Sequence, residues 1–172
     1  TLSYAGFLML AGAVLLVAAP EVMTVARLLR SRVSTLRRVA TPASLSMPDR
    51  DYYLKQDKTN AAFRKQHLAY IGQMLTLAGA RSVAARAQRI AFLETAIAAI
   101  QWSRVQNRDP IATYNRKTPA ELATLAPSFD WAGFFQAAGV PAATVDVNQP
   151  TFVQAFAQLL ADTPVATWRE YF

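Results

Sequence analysis

The stretch VAARAQRIAFLETAIAAIQW, residues 83–102, decides the fold, because its apolar side chains recur at the spacing of an α-helix. They cover more than half of the helix circumference and comprise Ala87, Ile90, Ala91, Leu93, Ile97 and Ile100. A helix with so wide an apolar surface is buried on most sides. We therefore predict that this is the central helix of the fold, with Arg86 on its solvated face.

The residues before it, 60–78, predict a second helix that packs against the first. One face carries Leu68, Ile71, Leu75 and Ala78, and the side chains beside that face are Phe63, Tyr70, Met74 and Leu77. Gly79 is placed to end this helix, since glycine readily adopts the left-handed conformation that follows many helix ends. The short connection over residues 79–82 then favours an antiparallel helical hairpin.

Shorter helices are predicted after the hairpin, so the fold class is all-α. Thr118, Pro119 and Glu121 have the pattern of a capping box with proline at the first helical position, and this helix stops before Pro127. Asp130 is placed to cap the next helix. The remaining predicted elements are an apolar patch of Trp131, Phe134 and Phe135 before Gly139, an extended segment at 145–147, a helix over 151–161 and a last helix from Thr163.

Residues 1–20 form a separate segment without any charged side chain. About 20 apolar residues are enough to cross roughly 30 Å of hydrocarbon as a helix, so this is a candidate transmembrane helix. Two other interpretations stay open. A signal peptide has a basic region before its apolar core, which is absent here, and a core helix of a soluble protein has a polar stripe, which is also absent.

Residues 21–44 form a basic linker. They contain one acid, Glu21, and five arginines, Arg27, Arg30, Arg32, Arg37 and Arg38. Arginines beside an apolar helix attract anionic lipid head groups, so we expect membrane association. The net charge of +7 resides mainly in this linker. It therefore does not indicate nucleic-acid binding by the folded part.

An ordered series of motifs follows the linker. It consists of residues 47–54 (MPDRDYYL), 108–110 (RDP), 113–115 (TYN), Glu121-Leu122 with 125–127 (LAP), Asp130-Trp131 with Phe134-Phe135, 147–149 (VNQ), Phe152, and Thr163-Pro164 with Trp168-Arg169 and Tyr171. In this order and spacing, residues 45–172 resemble the N-terminal helical region of the neprilysin-like zinc metalloendopeptidases. Cysteine is absent from the chain. A disulfide-free chain is typical of a bacterial member of the family rather than an animal ectodomain.

The resemblance implies zinc chemistry that this chain lacks. In such enzymes two histidines of an H-E-x-x-H helix bind zinc, and the glutamate between them is the general base. The only histidine here is His67. It is predicted to be a solvated residue on a basic helix face. We therefore expect no catalytic, cofactor-binding or metal-binding residue in the chain, whereas the parent family uses zinc.

The resemblance implies a non-catalytic, lid-type helical region of an enzyme that hydrolyses oligopeptides. Its partners would be a downstream catalytic domain and, with that domain, peptide substrate. In the family, this region packs against later helices. We therefore expect the apolar faces of Phe152, Phe156 and Trp168 to lack partners in this chain. An alternative is a membrane-associated helical interaction protein that kept the scaffold without the chemistry. A coding sequence that continues into H-E-x-x-H favours the first function.

Two motifs have both a structural and a functional interpretation. Arg108 is a candidate contact for a peptide carboxylate, because arginine binds carboxylates through two parallel hydrogen bonds. The structural interpretation is that Arg108 and Asp109 fix a loop. Asp49 and Asp51 could form a paired-carboxylate site, but the pattern favours helix capping and pairing with arginine.

The expected location is membrane-associated and extracytoplasmic, at the cell envelope. The topology is left open. Arginines after an apolar helix are retained on the cytoplasmic side, whereas enzymes of this family have their domains outside.

Overall fold

The computed structural model describes residues 39–40, 45–138 and 144–172, and over them it is mostly helical. In chain order the elements are β1 (Val39–Ala40), α1 (Asp51–Leu54), α2 (Lys58–Leu77), α3 (Val83–Ile100), β2 (Arg116–Lys117), α4 (Pro119–Leu125), α5 (Trp131–Ala138), β3 (Val145–Val147), α6 (Pro150–Asp162) and α7 (Val165–Tyr171). The described residues form two compact units, one of residues 45–101 with 166–172 and one of residues 39–40, 102–138 and 144–165. The candidate membrane segment, residues 1–20, lies outside the described residues.

The predicted hairpin is confirmed in the first unit, where α2 and α3 pack together. Asp57 caps α2, because its side chain accepts a hydrogen bond from the Asn60 backbone N–H. Gly79 follows the helix at φ +70°. Its N–H donates to the Thr76 carbonyl, and the Ala80 N–H donates to the Leu75 carbonyl. These two bonds are those of a Schellman motif, which satisfies the last carbonyls of the helix.

Helix α3 is the buried helix of this unit, as predicted. Leu93, Ile97 and Ala98 are almost fully inaccessible to solvent. Ile71 of α2 packs with Ala87 and Ile90 of α3. On α2, however, the side chains predicted beside the buried face are exposed, namely Phe63, Tyr70, Met74 and Leu77.

Two sequence expectations about this unit are wrong. Arg86 is not on the solvated face, because its Nε lies 3.2 Å from Glu170 Oε1 in α7 and its side chain is two-thirds buried. Trp168 does not lack partners, since it is 2% exposed. Helix α7 supplies these contacts and also brings Tyr171 against the cluster around Ile71.

The second unit contains a small sheet with the strand order β1-β3-β2. Strand β3, the predicted extended segment, pairs in parallel with β1 and antiparallel with β2. The two outer strands are additions to the predicted all-α fold. Each is only two residues long, too short for an alternating pattern that the sequence could display.

In the second unit, α4 packs with β2 of this sheet and with the helices α5 and α6. The capping box of α4 is present, with Thr118 and Glu121 bonded reciprocally, and Asp130 accepts from the Gly133 N–H at the start of α5. Buried side chains form the core: Leu122, Ala126, Trp131, Phe135, Val145, Val147, Phe152, Val153, Phe156 and Ala157. The prediction that Phe152 and Phe156 lack partners is therefore wrong. Of the predicted apolar patch, Trp131 and Phe135 lie in the core, whereas Phe134 is half-buried.

No helix among the described residues has the length and apolar character of a membrane span.

Gly72 within α2 and Gly79 after its end provide a test of the hairpin. Gly79→Ala should lower the free energy of unfolding by about 1–2 kcal/mol, because a side chain is strained at positive φ. Gly72→Ala is the matched control. Its new methyl group would lie 3.7 Å from Val83 Cγ1, an ordinary contact, so it should raise that free energy by about 0.5–1 kcal/mol. Urea denaturation of both variants measures the difference. Equal shifts would contradict the left-handed helix end.

Candidate functional site

Four polar side chains meet inside the first unit, and we call them the Glu94 centre: Ser46, Tyr53, His67 and Glu94. Glu94 is the only acid of α3 and is 1% exposed. It lies one helical turn from Ile90 and from Ile97, on the buried face. The other three residues come from different segments, since Ser46 precedes α1, Tyr53 belongs to α1 and His67 to α2.

Both oxygens of the Glu94 carboxylate accept hydrogen bonds. Ser46 Oγ donates to Oε1. Tyr53 Oη donates to Oε2 over 3.1 Å, and His67 Nε2 lies 2.5 Å from the same oxygen. A carboxylate has only acceptors, so this ring nitrogen carries the proton. The Tyr53 hydroxyl also accepts from the Met47 N–H, over 2.9 Å, which ties the segment before α1 to the centre.

Burial and the neighbouring carboxylate hold two tyrosines in their neutral form. Burial raises the pKa of Tyr53 above its ordinary value, and the negative charge of Glu94 raises it further. Burial likewise raises the pKa of Tyr171, and Glu94 adds to the effect. A neutral Tyr53 can donate to the carboxylate, whereas an ionised one would repel it.

The Glu94 centre is suited to holding segments together and not to chemistry on a substrate. A general acid or base must come within hydrogen-bond reach of the substrate, but the Glu94 side chain is 1% and the His67 side chain 11% exposed. Zinc does not fit either. The centre offers one imidazole and one carboxylate, which bond to each other, and its other donors are hydroxyl groups. Over the described residues no group of three histidine or acidic side chains could hold a metal ion.

The structure corrects the prediction for His67. We expected a solvated residue on a basic helix face, but its side chain is largely buried against Glu94 and packs edge-on to the Tyr53 ring.

The predicted capping role of the 49–51 motif is confirmed in part. Asp49 Oδ1 accepts from the Asp51 N–H over 2.9 Å at the start of α1. Asp51 pairs with Lys55 at 2.9 Å and not with an arginine. The side chain of Arg50 instead donates to the Ala98 and Ala99 carbonyls near the end of α3.

A second carboxylate, Glu170, ties α7 to α3 in the same unit. Arg89 donates two hydrogen bonds to it, over 2.9 Å from Nε and 2.6 Å from Nη2. The guanidinium of Arg89 holds the pKa of Glu170 below its usual value despite the opposing effect of burial. This pair was not predicted from the sequence, because it joins residues that are 81 positions apart.

In the second unit, residues 102–117 form a connection that we call the 102–117 loop. Asp109 fixes it, since Oδ1 accepts from the N–H groups of Ile111 and Ala112 over 2.9 and 3.0 Å. These bonds lower the pKa of Asp109. Arg108 ends a short 3₁₀ turn and is exposed. Its backbone N–H donates to the Val105 carbonyl. Its side chain has no hydrogen bond or ion pair among the described residues, so of the two predicted side chains only that of Asp109 fixes the loop.

Two of the sequence motifs meet at this loop. The Asn115 backbone N–H donates to Asp146 Oδ1 over 2.8 Å, and its side chain donates to the Val147 carbonyl over 3.1 Å. Asn148 Nδ2 donates to the Thr113 carbonyl over 3.2 Å.

Gln149 extends the attachment of the loop to the rest of the unit. It is 2% exposed. Its side chain accepts from the Trp102 N–H over 2.9 Å and donates to Asn107 over 2.7 Å. The TYN and VNQ motifs therefore fix the loop against β3 and the start of α6.

Removal of the buried charge tests the Glu94 centre. Glu94→Gln should lower the free energy of unfolding by about 1–3 kcal/mol, because an amide NH₂ cannot accept the hydrogen bonds of a carboxylate oxygen. Gln88→Ala, on the exposed side of the same helix, should change it by less than about 0.5 kcal/mol. Urea denaturation at pH 7 compares the two. A Glu94→Gln change as small as the control would contradict a stabilising role.

The raised pKa values predict a loss of stability in alkali. A group whose pKa is higher in the folded than in the unfolded protein contributes its full stabilisation of the fold below the unfolded pKa, which is about 10 for tyrosine. This contribution is lost as the pH rises from the unfolded pKa through the folded pKa. Each buried tyrosine should then contribute a slope of at most about 1.4 kcal/mol per pH unit. Tyr53→Phe should reduce the slope of unfolding free energy between pH 9 and 11, and exposed Tyr70→Phe should not. Equal slopes in both variants would be the contrary result.

Comparison with known sequences places these features in a family. Endothelin-converting enzyme 1 of Cavia porcellus is 30% identical over 109 residues, which are 62% of this chain and 14% of that enzyme. Human endothelin-converting enzyme-like 1 is 27% identical over 133 residues, 74% of this chain and 17% of that protein.

Solved structures give the same result. The crystal structure of Mycobacterium tuberculosis zinc metalloprotease ZMP1 in complex with an inhibitor matches with a TM-score of 0.74 and 28% identity, covering 94% of this chain and 28% of the other. The same enzyme in its open state matches with a TM-score of 0.69 and 32% identity, covering 76% and 21%. The chain thus spans less than a third of each relative.

The sequence model described as Peptidase family M13 matches residues 31–172. The match begins upstream of the predicted boundary at residue 45 and includes the end of the basic linker. With the similarity to endothelin-converting enzymes and to a mycobacterial zinc metalloprotease, it confirms the predicted neprilysin-like relationship. The chain belongs to peptidase family M13.

Proposed function

We propose that this chain is the non-catalytic helical part of a zinc metallopeptidase that hydrolyses oligopeptides. The supporting observation is that the chain matches a peptidase family but has a single histidine, which is engaged inside the fold. Residues 31–172 match family M13, yet the only histidine of the chain bonds to Glu94 inside the fold. A zinc site and its general base would then come from the catalytic domain of the same polypeptide or assembly, and this part would enclose the peptide beside them.

The organisation of the chain supports a scaffold role. Within each unit a group of polar side chains forms hydrogen bonds inside the fold, namely the Glu94 centre in the first unit and Asn115 with Gln149 in the second. A satisfied polar network rigidifies a fold and leaves its members unavailable for proton transfer. The domain assignment belongs to the same proposal: residues 45–172 are the lid-type part, and they act only with a partner domain that binds zinc.

A chimera tests this function. Residues 45–172 would replace the matching region of the mycobacterial ZMP1, and hydrolysis of a fluorogenic oligopeptide would be measured. We expect the chimera to cleave the peptide in a zinc-dependent manner and the chain alone neither to cleave it nor to retain zinc after dialysis, because one histidine cannot complete a zinc site.

Two variants make the result specific. Gln88→Ala should leave the chimera active, whereas Ile97→Asp should abolish activity, since an unpaired charge would enter the α3 core. A folded but inactive chimera would favour the interaction protein that kept only the scaffold. Stoichiometric zinc on the isolated chain would refute the assignment as non-catalytic.

A further inference from the structure

The 102–117 loop presents large apolar side chains to solvent. Ile111 is 85%, Val105 77% and Tyr114 61% exposed. Burying one such side chain contributes about 1.5–3 kcal/mol, so exposing three within ten residues leaves a surface that favours a partner. The same unit buries other apolar side chains in its core, among them Leu122, Trp131 and Phe152.

Positive charge lies beside these apolar side chains. Arg108 and Arg116 are exposed, and within the described residues neither side chain has a hydrogen bond or ion pair. Two acids near them are already engaged by backbone donors, because Asp109 accepts from Ile111 and Ala112 and Asp146 accepts from Asn115. The guanidinium groups are therefore available to an external carboxylate, which arginine binds through two parallel hydrogen bonds.

The loop is held in one conformation before any partner arrives. Asp109 closes its turn, Asn115 attaches its end to β3, and Gln149 attaches its beginning through Trp102 and Asn107. A preorganised surface loses little conformational entropy on binding.

The sheet supplies a backbone surface next to the same side chains. Strand β2 is an outer strand of the sheet formed by the described residues. It begins at Arg116, two residues after Tyr114. An outer strand can bind an extended peptide through backbone hydrogen bonds, with the side chains giving specificity.

We propose that the 102–117 loop binds an extended peptide whose free carboxylate contacts Arg108 and whose adjoining apolar side chain contacts Ile111 and Tyr114. The ligand class is a short peptide with an apolar residue at its C-terminus. The inference rests on the proposed function, because a lid that encloses oligopeptides needs a surface that holds them. It adds which residues of the loop bind the peptide, and that they recognise its C-terminal end.

Peptide binding to the complete chain tests the site without requiring catalysis. The probe is a fluorescein-labelled hexapeptide ending in Ala-Leu-Phe with a free carboxylate, and its twin ends in a carboxamide. Fluorescence anisotropy gives Kd for each. We expect the carboxamide to bind about tenfold more weakly, since one charge-assisted contact is lost.

A double-mutant cycle locates the carboxylate. Arg108→Gln should weaken binding of the free-carboxylate probe about tenfold and should leave the Kd of the carboxamide unchanged, because the two changes remove the same contact. Arg81→Gln is the matched control, with the same charge change at an exposed arginine in the other unit, and should not alter either Kd. Ile111→Ser should weaken a probe ending in phenylalanine more than one ending in alanine.

Several results would overturn the proposal. The first is that Arg108→Gln and the carboxamide weaken binding additively. The second is that Arg108→Gln and Arg81→Gln change Kd equally, and the third is that the probe does not bind at peptide concentrations up to millimolar. Displacement of the probe by an oligonucleotide at lower concentration than by unlabelled peptide would assign the surface to nucleic acid instead. If peptide binding fails while the ZMP1 chimera is active, the site is wrong and the scaffold function stands.

Discussion

The burial of one carboxylate in the central helix constrains the first unit more than any other interaction. An ionised group removed from water costs several kcal/mol unless donors surround it. Glu94 receives them from Ser46, Tyr53 and His67. Because these donors lie on the segment before α1, on α1 and on α2, satisfying a single side chain fixes three segments against α3. A shifted hairpin would leave the charge without partners, so the centre selects one packing of the helices.

Elements governed by local rules could be predicted from the sequence. The end of α2 at Gly79, the start of α4 at Thr118 and the cap at Asp130 each depend on residues within one turn of the chain. The buried faces of α2 and α3 followed from helical periodicity. Here the apolar positions are separated by three or four residues, so a single sequence displays the pattern. The structure differs mainly in leaving Phe63, Tyr70, Met74 and Leu77 of α2 exposed.

The polar contacts could not be predicted in the same way, since they join residues far apart in the chain. Glu94 did carry a signal, because it is the one acid in an apolar helix and shares the spacing of Ile90 and Ile97. Its partners carried none. The basic neighbours of His67 suggested a solvated position, and only the fold brings its ring to Glu94. Arg86 and Glu170 likewise became neighbours through the placement of α7.

The family motifs of the 102–117 loop and of β3 form structural contacts. The residues of TYN and VNQ bond to one another across more than thirty positions, and Asp109 of RDP bonds to the next turn of its own loop. Such contacts preserve a scaffold whether or not a zinc site accompanies it. Arg108 is different, because it lies inside the same motif and contributes none of these bonds. Because Asp109, Asn115 and Gln149 hold the loop while the Arg108 side chain remains in solvent, the structure supports the proposal that the loop presents this side chain to a ligand.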